Sequence, residues 1–154
     1  MTLRERLQHP WLTVRCQLLL GALFVVAAWP KLLDPPGFAK AVHAYALLPS
    51  FLVHTVALTL PWVEFLAGIL LCLGLWVRAA TTWIAALLLV FIGALGVNLA
   101  KGHPVDCGCF TQSTVPKTRG ERLGDMRWTI LRDLGMLALA AQILAATQSR
   151  RDRS

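Results

Sequence analysis

Four long apolar runs, separated by breaks containing proline, glycine or charge, constrain this chain more than any other feature. A helix needs about 20 mostly apolar residues, at about 1.5 Å of rise each, to cross roughly 30 Å of hydrocarbon. Windows at 11–29, 51–76, 79–99 and 128–147 meet that requirement. The last is interrupted early by Arg132 and Asp133. Trp11, Trp29, Trp76 and Trp128 stand at window ends, where an interfacial aromatic belt is expected. Backbone polar groups in lipid must be satisfied within their own segment, which favours helices. The runs also lack the period-2 alternation of a membrane barrel. The expected fold is therefore all-α: a polytopic membrane four-helix bundle, with 1–154 as a single integral membrane domain.

Composition agrees. At 56% hydrophobic and 15% charged residues, the chain is too apolar for an ordinary water-soluble domain or for low-complexity disorder. The formal charge of +7 raises the question of nucleic acid. However, the 15 Lys and Arg fall between apolar blocks rather than along one face, so membrane lipid is the expected partner. Orientation is nearly balanced. With four spans, Arg4, Arg6, Arg15, Arg78, Arg150, Arg151 and Arg153 share the side of the termini. Lys31, Lys40, Lys101, Lys117, Arg119, Arg122, Arg127 and Arg132 share the other. Arg4 and Arg6 precede the first span, which mildly favours cytoplasmic termini. The same arginines and Val26-Ala27-Ala28 would also suit a signal peptide. The apolar run starts only after Arg15, and Pro30 would follow the cut, so the segment is read as a retained first helix.

Two loops lie on the side away from the termini. The first, Pro30 to Ser50, contains the turn signal Asp34-Pro35-Pro36-Gly37. Phe38, Ala41, Val42 and Tyr45 then recur at the spacing of one helical face. This predicts a short helix on the bundle or in the interface, either plugging the bundle mouth or offering a face for docking or gating.

The second loop carries His103, Asp106, Cys107, Gly108 and Cys109. Cysteines at i, i+2 can bridge only in a tight ring, which glycine tolerates best. Such a bridge closes almost no loop and contributes little as a staple. Strained, exposed disulfides are the labile and oxidising ones, so Cys107 and Cys109 read as a reversible dithiol/disulfide. His103 would favour a thiolate and Asp106 oppose it. A metal site built from Cys107, Cys109 and His103 lacks a fourth ligand, so no metal is expected. Structural pairing of each cysteine elsewhere is the other alternative. Cys16 and Cys72 fall at similar depth near the termini side, either as small hydrophobes or as a second redox pair.

Glu64 stands near the middle of the second span, three residues after Pro61. An intramembrane carboxylate is costly and marks a functional hypothesis, with a protonated, merely hydrogen-bonded group as the structural alternative. His54, Asn98, Arg132 and Asp133 lie toward the Cys107 side. A pair between Glu64 and Arg132 would have to bridge about 13 Å of depth. A membrane quinone or proton path through this cluster is a further possibility.

Several of these segments resemble the MauE family, which is related to DoxX-like membrane proteins. Lys31-Leu32-Leu33-Asp34-Pro35 with Phe38, Ala41-Val42 and Tyr45–Pro49 is similar to its first half. Leu60–Gly68 is similar to its second-helix motif, and Asn98-Leu99 through Asp106-Cys107-Gly108-Cys109-Phe110 to its most specific one. Leu131-Arg132-Asp133 resembles the start of its last helix, with Asp133 where Asn is expected and Thr111 where Gly is. The resemblance implies a bacterial inner-membrane protein with cytoplasmic termini and its cysteine motif facing the periplasm. It also implies support of disulfide formation in a periplasmic client, alongside a thioredoxin-like partner. The alternatives are a non-enzymatic subunit or scaffold of a larger membrane complex, and a quinone or small-molecule binding protein centred on Glu64.

Overall fold

The structure, a computed structural model, describes residues 10–46, 49–102 and 118–151, with residues 150 and 151 as backbone alone. Its helices are α1 (Pro10–Leu33), α2 (Pro35–Ala44), α3 (Ser50–Cys72), α4 (Val77–Ala100) and α5 (Arg119–Arg151). Four of them, α1, α3, α4 and α5, are long and apolar enough to cross a membrane. Among the described residues there is no strand. The chain is a multi-pass membrane protein of the all-α class. α1 packs on α3 and α5, and α4 packs on the same two helices, giving an up-down-up-down bundle.

Helix ends follow local chemistry, and three differ from the expected spans. α1 runs four residues past Trp29, because Pro30 is carried inside the helix. Proline removes the N–H that would bond Val26 O, but its own carbonyl still accepts from Asp34 N at 3.1 Å. α3 stops at Cys72 rather than running to residue 76. Leu75 N bonds Leu70 O and Gly74 N bonds Leu71 O, with Gly74 at φ +71°, a Schellman cap that needs a residue tolerant of the left-handed region. α5 begins nine residues before its apolar stretch, at Arg119. Thr118 and Glu121 form a reciprocal capping box there: Thr118 N and Oγ1 donate to Glu121 Oε2 at 2.8 Å, and Glu121 N returns a bond to Thr118 Oγ1 at 3.4 Å.

The expected short helix is present as α2 and lies mainly against α3. Asp34-Pro35-Pro36-Gly37 forms its N-terminus, with Asp34 Oδ1 accepting from Gly37 N at 3.0 Å and the prolines in the first turn. The predicted apolar face points inward: Phe38 and Tyr45 are buried, Ala41 and Val42 half-buried.

The core is built from Leu20 and Phe24 of α1, Leu71 of α3, Ile84 and Leu88 of α4, and Ala140 and Ile143 of α5. α1 and α3 approach most closely at Gly21 and Gly68. A Cβ on Gly21 would sit 2.8 Å from Gly68 O, and one on Gly68 would sit 2.9 Å from Gly21 O. Small residues at a crossing let backbones meet where lipid supplies no hydrophobic force between helices. Below this crossing, Gln17 Nε2 donates to Leu71 O at 2.6 Å and fixes the α1–α3 register.

Candidate functional site

A cluster of four charged side chains lies inside the bundle. Lys31 Nζ donates to Glu64 Oε2 at 2.6 Å, and both side chains are buried, at 3% and 7% exposure. Next to this pair, Arg132 Nε and Nη2 donate to Asp133 Oδ1 at 3.1 and 2.9 Å. All four groups line one cavity of about 40 Å³, which Phe24, Leu88 and Phe91 help to enclose. The ionised cluster is neutral as a whole, and buried charges persist in low dielectric only in such compensated groups.

Glu64 therefore takes Lys31 as its partner, not Arg132. Lys31 is not a loop charge either: it belongs to α1 and is buried. The reason is geometric. With Gly21 beside Gly68, the α1–α3 register places Lys31 opposite residue 58, six residues or roughly 9 Å from Glu64 along the axis. Helical side chains lean toward their own N-terminus. In this antiparallel pair, Lys31 leans into the bilayer and Glu64 leans out toward it, closing the gap. Pro30 and Pro61 each stand within three residues of the pair and each removes one intrahelical donor.

Lys31 also ties in α2. Its ammonium lies 5.2 Å from the centroid of the Phe38 ring and 5.5 Å from that of Phe91, within the range of cation–π attraction. Phe91 makes an edge-on contact with Tyr45 at 6.2 Å. Asn98, expected in the polar cluster, sits elsewhere: its Nδ2 donates to Tyr45 O at 3.3 Å and Ala94 O at 3.0 Å, joining the end of α2 to α4. His54 is exposed and lines a groove between α2 and α3. The structure thus gathers Glu64, Arg132 and Asp133, adds Lys31, and leaves Asn98 and His54 apart.

Cys107, Cys109, His103 and Asp106 lie outside the described residues. The two ends of their segment are described. Arg119 Nη2 donates to Gly102 O at 3.0 Å, so the chain leaves α4 and enters α5 at one place. Cys16 and Cys72 are free thiols with different acceptors: Cys16 Sγ donates to Gln142 Oε1 at 3.6 Å and Cys72 Sγ to Leu18 O at 4.0 Å. Among the described residues, no group of three His, Cys, Asp or Glu side chains could hold a metal ion.

The sequence matches the family described as methylamine utilisation protein MauE over residues 9–146. It is 34% identical to the methylamine utilization protein MauE of Paracoccus denitrificans over 137 residues, 88% of this chain and 69% of that one. It is 36% identical to the MauE protein of Methylophilus methylotrophus over 114 residues, covering 73% and 60% of the two chains. With that of Methylorubrum extorquens the identity is 31% over 140 residues, 90% of this chain and 71% of the relative. No solved structure matches.

Proposed function

The chain belongs to the MauE family of membrane proteins, and from that premise we propose that it is a membrane accessory of methylamine utilisation that exchanges disulfides through Cys107 and Cys109. The single observation that carries this reading is the Cys107-Gly108-Cys109 spacing within the segment linking α4 to α5. A ring of that size is poor as a staple and well suited to reversible opening. The tie between Arg119 and Gly102 supports it by rooting the segment at one point on the rigid bundle.

In the direction of disulfide formation, a client thiolate attacks one sulfur of the Cys107–Cys109 disulfide. That bond breaks, a mixed disulfide forms, and the other cysteine leaves as a thiolate. A second client thiolate then resolves the mixed disulfide. The client is oxidised, and the two electrons remain on Cys107 and Cys109 as a dithiol. A periplasmic protein of the thioredoxin type, itself carrying a disulfide, takes those electrons by the same exchange in reverse order. Such exchange belongs in an oxidising compartment, which places the motif in the periplasm and the termini in the cytoplasm.

The reading centred on Glu64 as a ligand-binding group is less well supported. The cavity at Glu64, about 40 Å³, is of the size that holds water rather than an organic ring. The test is mixed-disulfide trapping. Cys109→Ala or Cys107→Ala, expressed with the surrounding methylamine-utilisation proteins, is expected to yield a covalent, reductant-sensitive adduct with a thioredoxin-fold protein or the client. Failure of both variants to form any adduct contradicts the proposal.

A further inference from the structure

The groove between α2 and α3 lies apart from the charge cluster, with none of Lys31, Glu64, Arg132 and Asp133 in its lining. It encloses about 690 Å³ and is walled by Lys40 and His43 of α2 and by Val53, His54, Ala57 and Leu58 of α3. Lys40, His43 and His54 are exposed, whereas Val53 and Ala57 are buried. His54 and Leu58 are one turn apart on the same face of α3, so the groove changes from polar to apolar within roughly 6 Å along that helix. Among the described residues, no acidic side chain lines it. Asp34, which precedes Pro35 at the groove's end, holds its carboxylate on Gly37 N.

The polar rim lies one turn inside the start of α3, where an apolar span leaves the headgroup region. Groups that carry or can accept positive charge at that depth, above an apolar wall that descends into the bilayer, complement an anionic amphiphile. A small soluble anion would match only the rim. A zwitterionic lipid would bring its own cation against Lys40.

We propose that this groove binds one anionic glycerophospholipid of the surrounding bilayer, with its phosphate among Lys40, His43 and His54 and an acyl chain along Ala57 and Leu58. The site would couple α2, and through Phe38 the buried cluster, to lipid composition.

The test uses the full chain in nanodiscs of phosphatidylcholine, with phosphatidylglycerol added and bound lipid followed by native mass spectrometry. One phosphatidylglycerol is expected to be retained in preference to phosphatidylcholine. Lys40→Ala is expected to weaken that retention about fivefold, the effect of roughly one interfacial charge. Adding His43→Ala and His54→Ala should weaken it further, while Lys40→Arg keeps it. Arg78→Ala, in the first turn of α4 at the other end of the bundle, should leave it unchanged. Equal retention of phosphatidylcholine, an equal loss in Arg78→Ala, or displacement of the lipid by inorganic phosphate would each overturn the proposal. So would a protein partner that cross-links to the groove while phosphatidylglycerol binding ignores Lys40.

Discussion

Lys31 and Glu64 meet at 2.6 Å inside the bundle, each from a helix that carries a proline within three residues of it. This contact joins α1 to α3, and the Phe38 and Phe91 rings beside the ammonium extend it to α2 and α4. Removing one partner leaves an uncompensated buried charge, which costs about 3–5 kcal/mol, whereas replacing both by apolar groups is often neutral. Lys31→Met and Glu64→Leu are each expected to lower the stability of the purified protein by that amount, and the double variant to recover most of it. Thermal unfolding in detergent checks this. Additive losses in the double variant would contradict it.

The Arg132–Asp133 pair completes a cluster that is neutral when ionised, and family resemblance leads one to expect Asn at 133. Asp133→Asn keeps the side-chain volume but gives the cluster a net charge of +1 and leaves Arg132 with a weaker acceptor. A hydrogen bond to a charged group contributes about 1.5–3 kcal/mol. A loss in that range is expected, and in Asp133→Asn combined with Arg132→Gln a smaller one. Chemical denaturation of the wild type and the two variants decides the matter.

Helix contact at Gly21 and Gly68 admits no side chain. Gly21→Val or Gly68→Val would push a carbon against a carbonyl oxygen already within 3 Å of the Cβ position, at a cost of about 1–3 kcal/mol. Gly93, with nothing within 4 Å of its Cβ position, supplies the control. Gly93→Ala should be neutral or stabilising by up to about 1 kcal/mol. Melting temperatures of the three variants would contradict the close crossing if Gly93→Ala proved as harmful as Gly68→Val.

At the mouth of the α4–α5 connection, the capping box of Thr118 and Glu121 satisfies donors at the start of α5. Thr118→Ala is expected to cost about 1 kcal/mol locally. Amide hydrogen exchange in the first turn of α5 should rise while exchange near Ile143 stays unchanged.

Much of this architecture was legible in the sequence, because lipid imposes length, apolarity and internal backbone bonding on any spanning segment. The spacing of Phe38, Ala41, Val42 and Tyr45 was equally direct, and these residues do form the inward face of α2. The buried ion pair was not legible, for a specific reason. Reading Pro30 as a helix end placed Lys31 among the loop charges, when the helix in fact runs on to Leu33. Once Lys31 is inside a span, an opposite charge on the antiparallel neighbour is the partner to look for, and Glu64 is the acidic residue that α3 offers. The capping box at Thr118 had a readable signature, a threonine followed three residues later by glutamate. The contact of Asn98 with Tyr45 O had none, since it depends on how α2 settles against α4.

The proposed exchange requires Cys107 and Cys109 to cycle between dithiol and disulfide on the periplasmic side. Differential alkylation in intact cells, first with a membrane-impermeant and then with a permeant reagent, reports their redox state and sidedness together. Both cysteines are expected to react with the impermeant reagent after external reduction, and to become protected again on reoxidation. Cysteines that stay permanently bridged, stay permanently reduced, or react only with the permeant reagent would contradict the account.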